Sequence, residues 1–467
     1  MKFPAVSVFC LVFPFCLPLA VRAADPPREI GSRLELLADD YLVEKLSGDA
    51  VQKMHQPKPH EVVLVTDKPW EGNTCAYYTI FQDGDLYRMY YRGSHVDEVA
   101  KKATHREVAC YAESTDGIHW KRPNLGLFEF AGSKDNNIVW DGIGTHCFTP
   151  FKDENPDCAA DARYKAVARG RPVGKKGLYA FKSPDAIHWS LIENEPVITT
   201  GAFDSQNLAF WDPVRKLYVS YHRNFVDGVR AIMTCTSEDF VDWNEPVYLK
   251  YGDAPDEHLY TNAIMPYQRA PHIKIGFPTR YLPTQASRVE PVLMTSHDGL
   301  NFHRWSEALV PEEAPMDRGG NRSNYMARGL LSLPHSDREL SVYATEAYYT
   351  GPDSRVRRFS FRLDGFVSIR AGDTGGRLLT RPLTFAGSQL VLNHVTAAKG
   401  QLRVEVQSLE GQPLEGLSLQ DCRPLQGDSL EQEVRWKQGS LKSVAGKPVR
   451  LLFELQQSDL YSLQFRR

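Results

Sequence analysis

The sequence lacks several patterns that would fix its chemistry or its location. It contains no CxxC pair and no HExxH, so a structural zinc site has no support, and no metal or other cofactor is expected. Beyond the N-terminus there is no stretch of about 20 apolar residues, the length that would span a bilayer. The net charge is −3 with acids and bases interspersed and no basic stripe, which argues against nucleic acid as a partner.

A clear helical period is also missing. No long segment repeats apolar residues every 3.6 positions, whereas short alternating runs with aromatic and β-branched residues are frequent. With 24% charged and 11% aromatic residues, the composition is that of a folded soluble protein. The sequence therefore predicts an all-β chain.

The first 23 residues have the pattern of a secretory signal peptide. A charged start is followed by an apolar run to Ala20 and then by Val21-Arg22-Ala23, with small residues at the positions that signal peptidase reads. The alternative is a membrane anchor, but the run is short and is interrupted by Pro14 and Pro18. We expect cleavage after Ala23 and a secreted or periplasmic protein.

Cysteine is scarce in the expected mature chain, which keeps six of the eight cysteines. In an exported protein some of them are expected to pair. Cys147 and Cys158 are the pair most suited to closing a loop, although connectivity cannot be read from sequence.

A short phrase occurs four times in the middle of the chain. Each copy has the form Ser-x-Asp, followed by an aromatic residue four positions after the Asp. The copies cover residues 114–120, 183–189, 237–243 and 296–302, and their acids lie 54 to 69 residues apart. This period is too long for a helical solenoid repeat and suits a four-stranded propeller blade with its loops.

The phrase has the chemistry of a hairpin turn. Ser and Asp side chains bond to nearby backbone amides, and Gly117 and Gly299 can adopt positive φ. The aromatic residue is expected to fill the gap between neighbouring sheets. The four copies each end one predicted blade. A fifth blade is predicted after them and ends without the full phrase, which gives five blades between residues 60 and 372.

Two further segments flank the predicted propeller. Residues 24–59 form an N-terminal segment in which 34–42 is a candidate strand for closing the last blade. Residues 377–467 contain short strands without the phrase, which suits a small C-terminal β-sandwich.

Five blades, an export signal and a C-terminal sandwich together resemble the five-bladed β-propeller glycoside hydrolases, both the invertase and fructosidase group and the arabinanase and β-xylosidase group. The resemblance implies carboxylates carried into a central funnel by the innermost strands. The chain departs from the invertase pattern because it has no Asn-Asp-Pro-Asn-Gly, Arg-Asp-Pro or Glu-Cys motif. In Trp211-Asp212-Pro213 the acid lies at the far end of its strand, where we expect a turn residue.

Three acids lie where the innermost strands of the predicted blades begin. Glycoside cleavage requires two carboxyl groups across the scissile bond, one protonated and one ionised. Asp204, Glu257 and Glu71 are the catalytic candidates, and we expect Asp204 and Glu257 to point into one cavity. Each also has a structural interpretation, as a turn, a cap or a surface loop residue.

Other polar and aromatic residues near these strand starts are candidates for binding sugar hydroxyl or carboxylate groups. They are Trp70, Asn73, His146, Asn207, His258, Tyr260, Asn262, Arg322 and Asn324. Asp39 and Asp40 are weaker candidates, and His222 and Arg223 are expected to be structural.

The sequence favours a secreted enzyme that hydrolyses glycosidic bonds in an oligo- or polysaccharide. A non-catalytic carbohydrate-binding propeller remains open. So does a sialidase-like hydrolase, because the phrase is similar to the sialidase Asp-box, although its spacing differs. The separation of the carboxylates in the funnel would distinguish hydrolysis from binding.

Overall fold

The computed structural model describes residues 26–171, 173–285, 287–310 and 325–467. The expected signal peptide, residues 1–23, lies outside this range. The described chain is built of β-strands with three short 3-10 helices, Thr145–Cys147, Ala160–Ala162 and Leu441–Ser443. The prediction of an all-β chain is confirmed. None of the described helices has the length and apolar character needed to cross a membrane.

Five antiparallel four-stranded sheets occupy the region from residue 58 to residue 362. In chain order we call them sheets 1 to 5. Sheet 1 contains Ala76–Asp83, Leu86–Gly93, Val108–Ser114 and Ile138–Trp140, and sheet 2 contains Thr149–Lys152, Tyr164–Arg169, Leu178–Ser183 and Ser190–Leu191. Sheet 3 contains Leu208–Asp212, Leu217–Val226, Val229–Ser237 and Val247–Tyr248, and sheet 4 contains Met265–Tyr267, Ala270–Gly276, Met294–Ser296 and His303–Arg304. Sheet 5 contains Leu331–Leu333, Ser336–Glu346, Arg355–Arg362 and Lys58–Val65.

Sheet 5 takes its outermost strand from the N-terminal part of the chain. Lys58–Val65 pairs antiparallel with Arg355–Arg362. The segment expected to close the last blade, residues 34–42, is placed elsewhere, because Leu34–Leu36 pairs with Arg450–Arg466 instead. The closing strand is thus the segment that directly precedes sheet 1.

An eight-stranded sheet gathers the C-terminal residues and most of the N-terminal segment. Its strands are Leu34–Leu36, Val43–Gly48, Val51–Met54, Val367–Ala371, Gly376–Thr380, Gln389–Gln407, Asp428–Glu433 and Arg450–Arg466. Val367–Ala371 falls within the range expected for the last blade, but it pairs with Val51–Met54 and Arg450–Arg466. The C-terminal unit therefore begins before residue 372 and shares its sheet with the start of the chain.

Three small sheets complete the strand list. Arg28–Gly31 pairs parallel with Leu383–Phe385, and Val96–Asp97 pairs with Lys102–Ala103. A three-stranded sheet is formed by His258–Leu259, which precedes sheet 4 in the chain, and by Thr279–Leu282 and Arg288–Pro291, which lie between the second and third strands of sheet 4.

The repeated phrase forms the same turn in all four copies. In the first copy, Ser114 Oγ accepts the amide N–H of Gly117 at 2.9 Å, and Asp116 Oδ1 accepts those of Ile118 and His119 at 2.8 Å. Ser183 with Asp185, Ser237 with Asp239 and Ser296 with Asp298 repeat these bonds. The prediction of a side-chain-stapled turn is confirmed.

These turns also join neighbouring sheets. A tyrosine hydroxyl of one sheet donates to the carbonyl that follows the Asp in another sheet, in the pairs Tyr343 and Gly117, Tyr90 and Ala186, and Tyr221 and Gly299. The aromatic residues of the phrase pack edge-on against the same tyrosines, in the pairs Trp120 and Tyr343, Trp189 and Tyr90, and Phe302 and Tyr221. The turns thus link sheet 5 to sheet 1, sheet 1 to sheet 2 and sheet 3 to sheet 4.

The opening strands, meaning Ala76–Asp83, Thr149–Lys152, Leu208–Asp212, Met265–Tyr267 and Leu331–Leu333 of sheets 1 to 5, lie side by side. Thr79 of sheet 1 forms a parallel bridge with Arg328, just ahead of sheet 5. Gln206, just ahead of sheet 3, donates to Tyr78 O, and Asn262 donates to Gln206 O. A cavity of about 260 Å³ is lined by residues of the opening strands of all five sheets.

Two local expectations are decided by the described residues. The six cysteines from Cys75 to Cys422 are free thiols, so the pairing expected for Cys147 with Cys158 is wrong. Asp212 ends its strand and accepts the N–H groups of Val214 and Arg215, as expected for a turn residue. Its buried carboxylate also lies 3.0 Å from Lys274 Nζ.

Candidate functional site

A cavity opens between the end of the second strand of sheet 2, with the turn that follows it, and the segment that precedes the opening strand of sheet 3. It has a volume of about 510 Å³, within the range of small-molecule sites. Arg169 is the last residue of the second strand of sheet 2, and Asp204 lies four residues before Leu208–Asp212. The charged residues on its wall are Arg169, Arg171, Lys176, Asp204 and Arg223. We call this space the Asp204 cavity.

Asp204 is the carboxylate of the cavity wall. Its Oδ1 atom lies 2.9 Å from His146 Nε2 and 2.8 Å from Arg169 Nη1, and its side chain is 53% exposed. The hydrogen bond from His146 holds the pKa of Asp204 well below its usual range, and the charges of His146, Arg169 and Arg223 act in the same direction. Asp204 is therefore an accessible, ionised carboxylate at neutral pH.

His146 connects Asp204 to a second carboxylate. The ring belongs to the 3-10 helix Thr145–Cys147, and its Nδ1 atom lies 2.9 Å from Glu107 Oε2. Burial would raise the pKa of Glu107, but the hydrogen bond from His146 and the charge of Arg92 outweigh it and lower the pKa. The imidazole thus lies between two acids, and a ring protonated on both nitrogens would donate to both.

Arg92, which contacts Glu107, also contacts the side chains of Tyr77 and Tyr348. Arg92 is 5% exposed, and its guanidinium lies 4.8 Å from the centroid of the Tyr77 ring. Arg92 Nη2 donates to Thr74 O at 2.7 Å and to Tyr348 Oη at 3.1 Å. Because Arg92 Nη1 also lies 3.6 Å from Glu107 Oε1, the arginine fixes the acid that holds His146.

Tyr260 and His258 are connected to the cavity through arginines. The Tyr260 ring lies between Arg223 and Arg230, with guanidinium-to-centroid distances of 5.1 and 5.2 Å. The backbone N–H of Arg230 donates to His258 Nδ1 at 3.2 Å. Of the residues predicted from sequence, the structure therefore associates Asp204, His146, Tyr260 and His258.

Glu257 lies apart from the Asp204 cavity, which differs from the expectation that the two acids share one space. It is not among the lining residues, and its carboxylate is paired with Arg280 and Arg304. Burial would raise its pKa, but the hydrogen bond from Arg304 and the charge of Arg280 lower it. The reason is topological, since the short strand after Glu257 belongs to the three-stranded sheet that also carries Arg280.

Glu71 and Trp70 also differ from their expected roles. The Glu71 side chain is fully buried, and it accepts from Arg122 Nε at 2.8 Å and Tyr91 Oη at 2.5 Å. Burial raises its pKa, but the carboxyl group has no surface to offer a substrate. Trp70 donates its indole N–H to Asn137 Oδ1 at 2.7 Å, so both residues support the fold of sheet 1.

Three of the four asparagines predicted to bind sugar use their amides internally. Asn73, Asn207 and Asn262 are each 1% exposed or less. Their Nδ2 atoms donate to backbone carbonyls, those of Gly351, Phe203 and Gln206 respectively. They hold the strand entrances in place. Arg322 and Asn324 lie outside the described residues.

Three residues of this candidate site were not predicted from the sequence. Arg169 and Arg223 were not proposed as ligands, and Glu107 was not singled out. Each lies on or beside the second or third strand of its sheet. The sequence-based candidates came only from the beginnings of the innermost strands. Arg223 could have been identified from sequence by its position directly after the alternating run 217–222 of sheet 3. Its neighbour His222 points the other way and is buried, as expected for a structural residue.

No family model and no curated protein matches this sequence. Similar solved structures include a glycoside hydrolase, at 11% identity and TM-score 0.46, covering 69% of this chain and 96% of that chain. The β-1,2-mannobiose phosphorylase of Listeria innocua is similar at 11% identity and TM-score 0.47, covering 66% and 96%. The catalytic domain of a Coprinopsis cinerea α-L-arabinofuranosidase is similar at 9% identity and TM-score 0.43, covering 66% and 99%.

These similar structures include enzymes named as glycoside hydrolases, the class of enzyme that the sequence resembles. A TM-score below 0.5 at such identity does not define a shared function, so function has to follow from the site itself.

Proposed function

We propose that the chain is an exported carbohydrate-active hydrolase that cleaves a glycosidic bond next to an anionic sugar. Its five four-stranded sheets would be the blades of a β-propeller, and the C-terminal sheet would form a β-sandwich. Two observations support the ring: the contacts between sheets 5 and 1, and a cavity lined by all five opening strands. The site would lie at the mouth of that ring.

The charge of the Asp204 cavity supports an anionic substrate. Four cationic side chains and one carboxylate line it, so the wall has an excess of positive charge. Arginine binds planar carboxylates bidentately, which suits the acid group of a uronic or sialic acid. A neutral sugar would leave the excess positive charge of the wall uncompensated.

The single observation that carries the hydrolase proposal is the state of Asp204. It is ionised, half-exposed and held by His146 and Arg169 in an open cavity. Such a carboxylate can attack the anomeric carbon or activate water. The proton for the leaving oxygen would come from His146, whose ring Glu107 orients from the opposite side.

The test is turnover of a panel of neutral, uronic, sulfated and sialylated saccharides by the purified protein and its Asp204→Asn variant. We expect cleavage of an acidic substrate and a loss of about 10²–10⁴-fold or more in kcat for the variant, with Tm retained. Arg223→Gln should raise KM for the acidic substrate more than it lowers kcat.

Glu257→Gln is the matched control. Because Glu257 lies outside the Asp204 cavity, its amide variant should keep most of the turnover. Equal losses for both variants would restore the pair expected from sequence. Binding of saccharides without turnover, in the unmutated protein, would favour the alternative of a non-catalytic propeller.

Residues 1–23 are proposed to direct export, to the periplasm or to the medium. N-terminal sequencing of the exported protein should then begin at Ala24. A sequence beginning at Met1 would contradict this.

A further inference from the structure

Three potential metal ligands meet where the N-terminal segment packs on sheet 4. Glu35 lies on Leu34–Leu36, His272 on Ala270–Gly276, and His297 directly follows Met294–Ser296. One ligand atom from each residue lies within 4.8 Å of the other two. None of the three lines the Asp204 cavity.

Glu35 and His272 already have the spacing of two ligands on one ion. Glu35 Oε2 accepts a hydrogen bond from His272 Nε2 at 3.1 Å, and both side chains are buried, so an ion bound by both would replace that proton. The second oxygen, Oε1, is buried without a hydrogen bond, although Arg33 Nη2 lies 3.1 Å away. The carboxylate therefore has a cationic partner at Oε1, a position that a bound metal cation could share or take over.

His297 is oriented by a carboxylate on one side of its ring. Its Nε2 atom lies 3.5 Å from Asp39 Oδ1, and the ring stacks on Tyr41 with centroids 3.7 Å apart. Asp39 is itself fixed by a hydrogen bond from Thr295 Oγ1 at 2.9 Å. The remaining nitrogen, Nδ1, is buried and has no hydrogen-bond partner.

This arrangement is the one in which a histidine binds a metal. A ligating imidazole commonly donates its second N–H to a carboxylate, which fixes its tautomer and leaves the other nitrogen free for the ion. Here Asp39 would hold the proton on Nε2 and leave Nδ1 as the ligand atom. Two imidazoles and one carboxylate are a ligand set suited to zinc.

We propose that Glu35, His272 and His297 bind a divalent zinc ion, with Asp39 positioning His297. The ion would join the N-terminal segment, whose strand Leu34–Leu36 pairs with the C-terminal sheet, to sheet 4. Its effect would be on stability, because an ion that binds only the folded chain stabilises it by mass action. Arg33, whose side chain is 41% exposed, can move away from the carboxylate as the ion enters.

The experiment uses the full mature chain without a histidine tag. The protein is dialysed against EDTA, then against metal-free buffer, and loaded with zinc chloride. We expect about one zinc per chain by mass spectrometry of the metal. With zinc well above its dissociation constant, Tm should rise by at least about 2 °C over the EDTA-treated protein.

Variants separate the site from adventitious binding. Glu35→Gln, His272→Gln and His297→Gln should each abolish both the bound zinc and the zinc-dependent rise in Tm, whatever their own stability. Asp39→Asn should weaken zinc binding about 10–100-fold. His335→Gln, in an exposed turn, should behave like the unmutated chain.

Failure to bind zinc in the unmutated chain would overturn the proposal. So would zinc binding that survives all three ligand variants. Turnover of saccharides is not the readout, so failure here and failure of the proposed function are distinguishable.

Discussion

Three acids of similar sequence context have different roles because they have different partners. Asp204 is ionised and open to solvent between His146 and Arg169. Glu257 is neutralised by Arg280 and Arg304, and Glu71 is fully buried against Arg122. In each case the partner comes from a different part of the chain, so the acid alone could not reveal its role.

His222 should make stability depend on pH. It is fully buried, and its Nε2 atom donates to Thr200 O at 3.1 Å. Burial lowers its pKa to about 4. The unfolded chain binds a proton near pH 6.5 and the folded chain only near pH 4, so stability falls as the pH drops through this window. The loss is at most about 3 kcal/mol.

Urea unfolding at pH 4.5 and pH 7 measures this dependence. His222→Gln should have a smaller difference in unfolding free energy between the two pH values than the unmutated chain. His335→Gln, which removes an exposed histidine, is the control and should leave the difference unchanged. An unaltered pH dependence in His222→Gln would show that other groups cause it.

At this scale the sequence predicted part of the site. Asp204, His146 and Tyr260 were singled out because they are polar or aromatic residues at strand starts, and the structure associates them with the candidate site. Glu107 and Arg169 were not found, because second and third strands offered no motif. The ligands Glu35, His272 and His297 come from distant segments, so the absence of HExxH could not exclude them.

The Ser-x-Asp turn requires that the residue after the Asp adopt a left-handed backbone conformation with positive φ. This residue is Gly117 (φ 73°) and Gly299 (φ 75°) in two copies, and Ala186 (φ 70°) and Phe240 (φ 73°) in the others. Hydrogen bonds that the Ser and Asp side-chain oxygens accept from backbone N–H groups maintain the turn even where a side chain disfavours that φ. The repeated phrase therefore predicted this element well, because its cause is local.

Gly117→Ala should be destabilising by about 1–3 kcal/mol. An added Cβ would lie 2.4 Å from Leu333 Cδ2 and 3.0 Å from Tyr343 Oη, in addition to the strain of positive φ. The reverse change, Ala186→Gly, should be within about 1 kcal/mol of neutral, because relief of φ strain is offset by backbone entropy. Urea unfolding of both variants tests this, and a neutral Gly117→Ala would contradict the packing argument.

The closing strand could not be predicted in the same way. Lys58–Val65 carries no turn phrase, and its pairing with Arg355–Arg362 joins residues almost 300 positions apart. The candidate chosen from sequence, 34–42, is also rich in apolar residues but packs its buried residues on the C-terminal unit and sheet 4. Alternation alone predicts a strand without predicting its partner.

The N-terminal residues that precede sheet 1 connect the C-terminal sheet to sheet 5. Val43–Gly48 and Val51–Met54 extend the C-terminal sheet, and Lys58–Val65 then completes sheet 5. Leu64 belongs to one hydrophobic cluster with residues of sheets 1 and 5, among them Tyr78 and Tyr343. The two ends of the row of sheets therefore share a core, as a closed ring requires.

Leu64→Asp and Val65→Asp test this shared core with neighbouring positions of one strand. Leu64 is 4% exposed and Val65 is 36% exposed, so only the first change buries a charge. Leu64→Asp should cost about 4 kcal/mol or more, and Val65→Asp less than about 1 kcal/mol. The measurement is the free energy of unfolding in urea.

Hydrogen exchange then distinguishes a ring from an open row of sheets. In a ring, Leu64→Asp weakens the contact of sheet 5 with sheet 1, where Arg328 bridges Thr79. Amide protection should then fall in Arg355–Arg362 and in Ala76–Asp83 together, since local opening spreads through units that share a core. Val65→Asp should leave both unchanged. Loss of protection confined to Arg355–Arg362 would mean that the closing strand serves sheet 5 alone, and the propeller proposal would lose its main support.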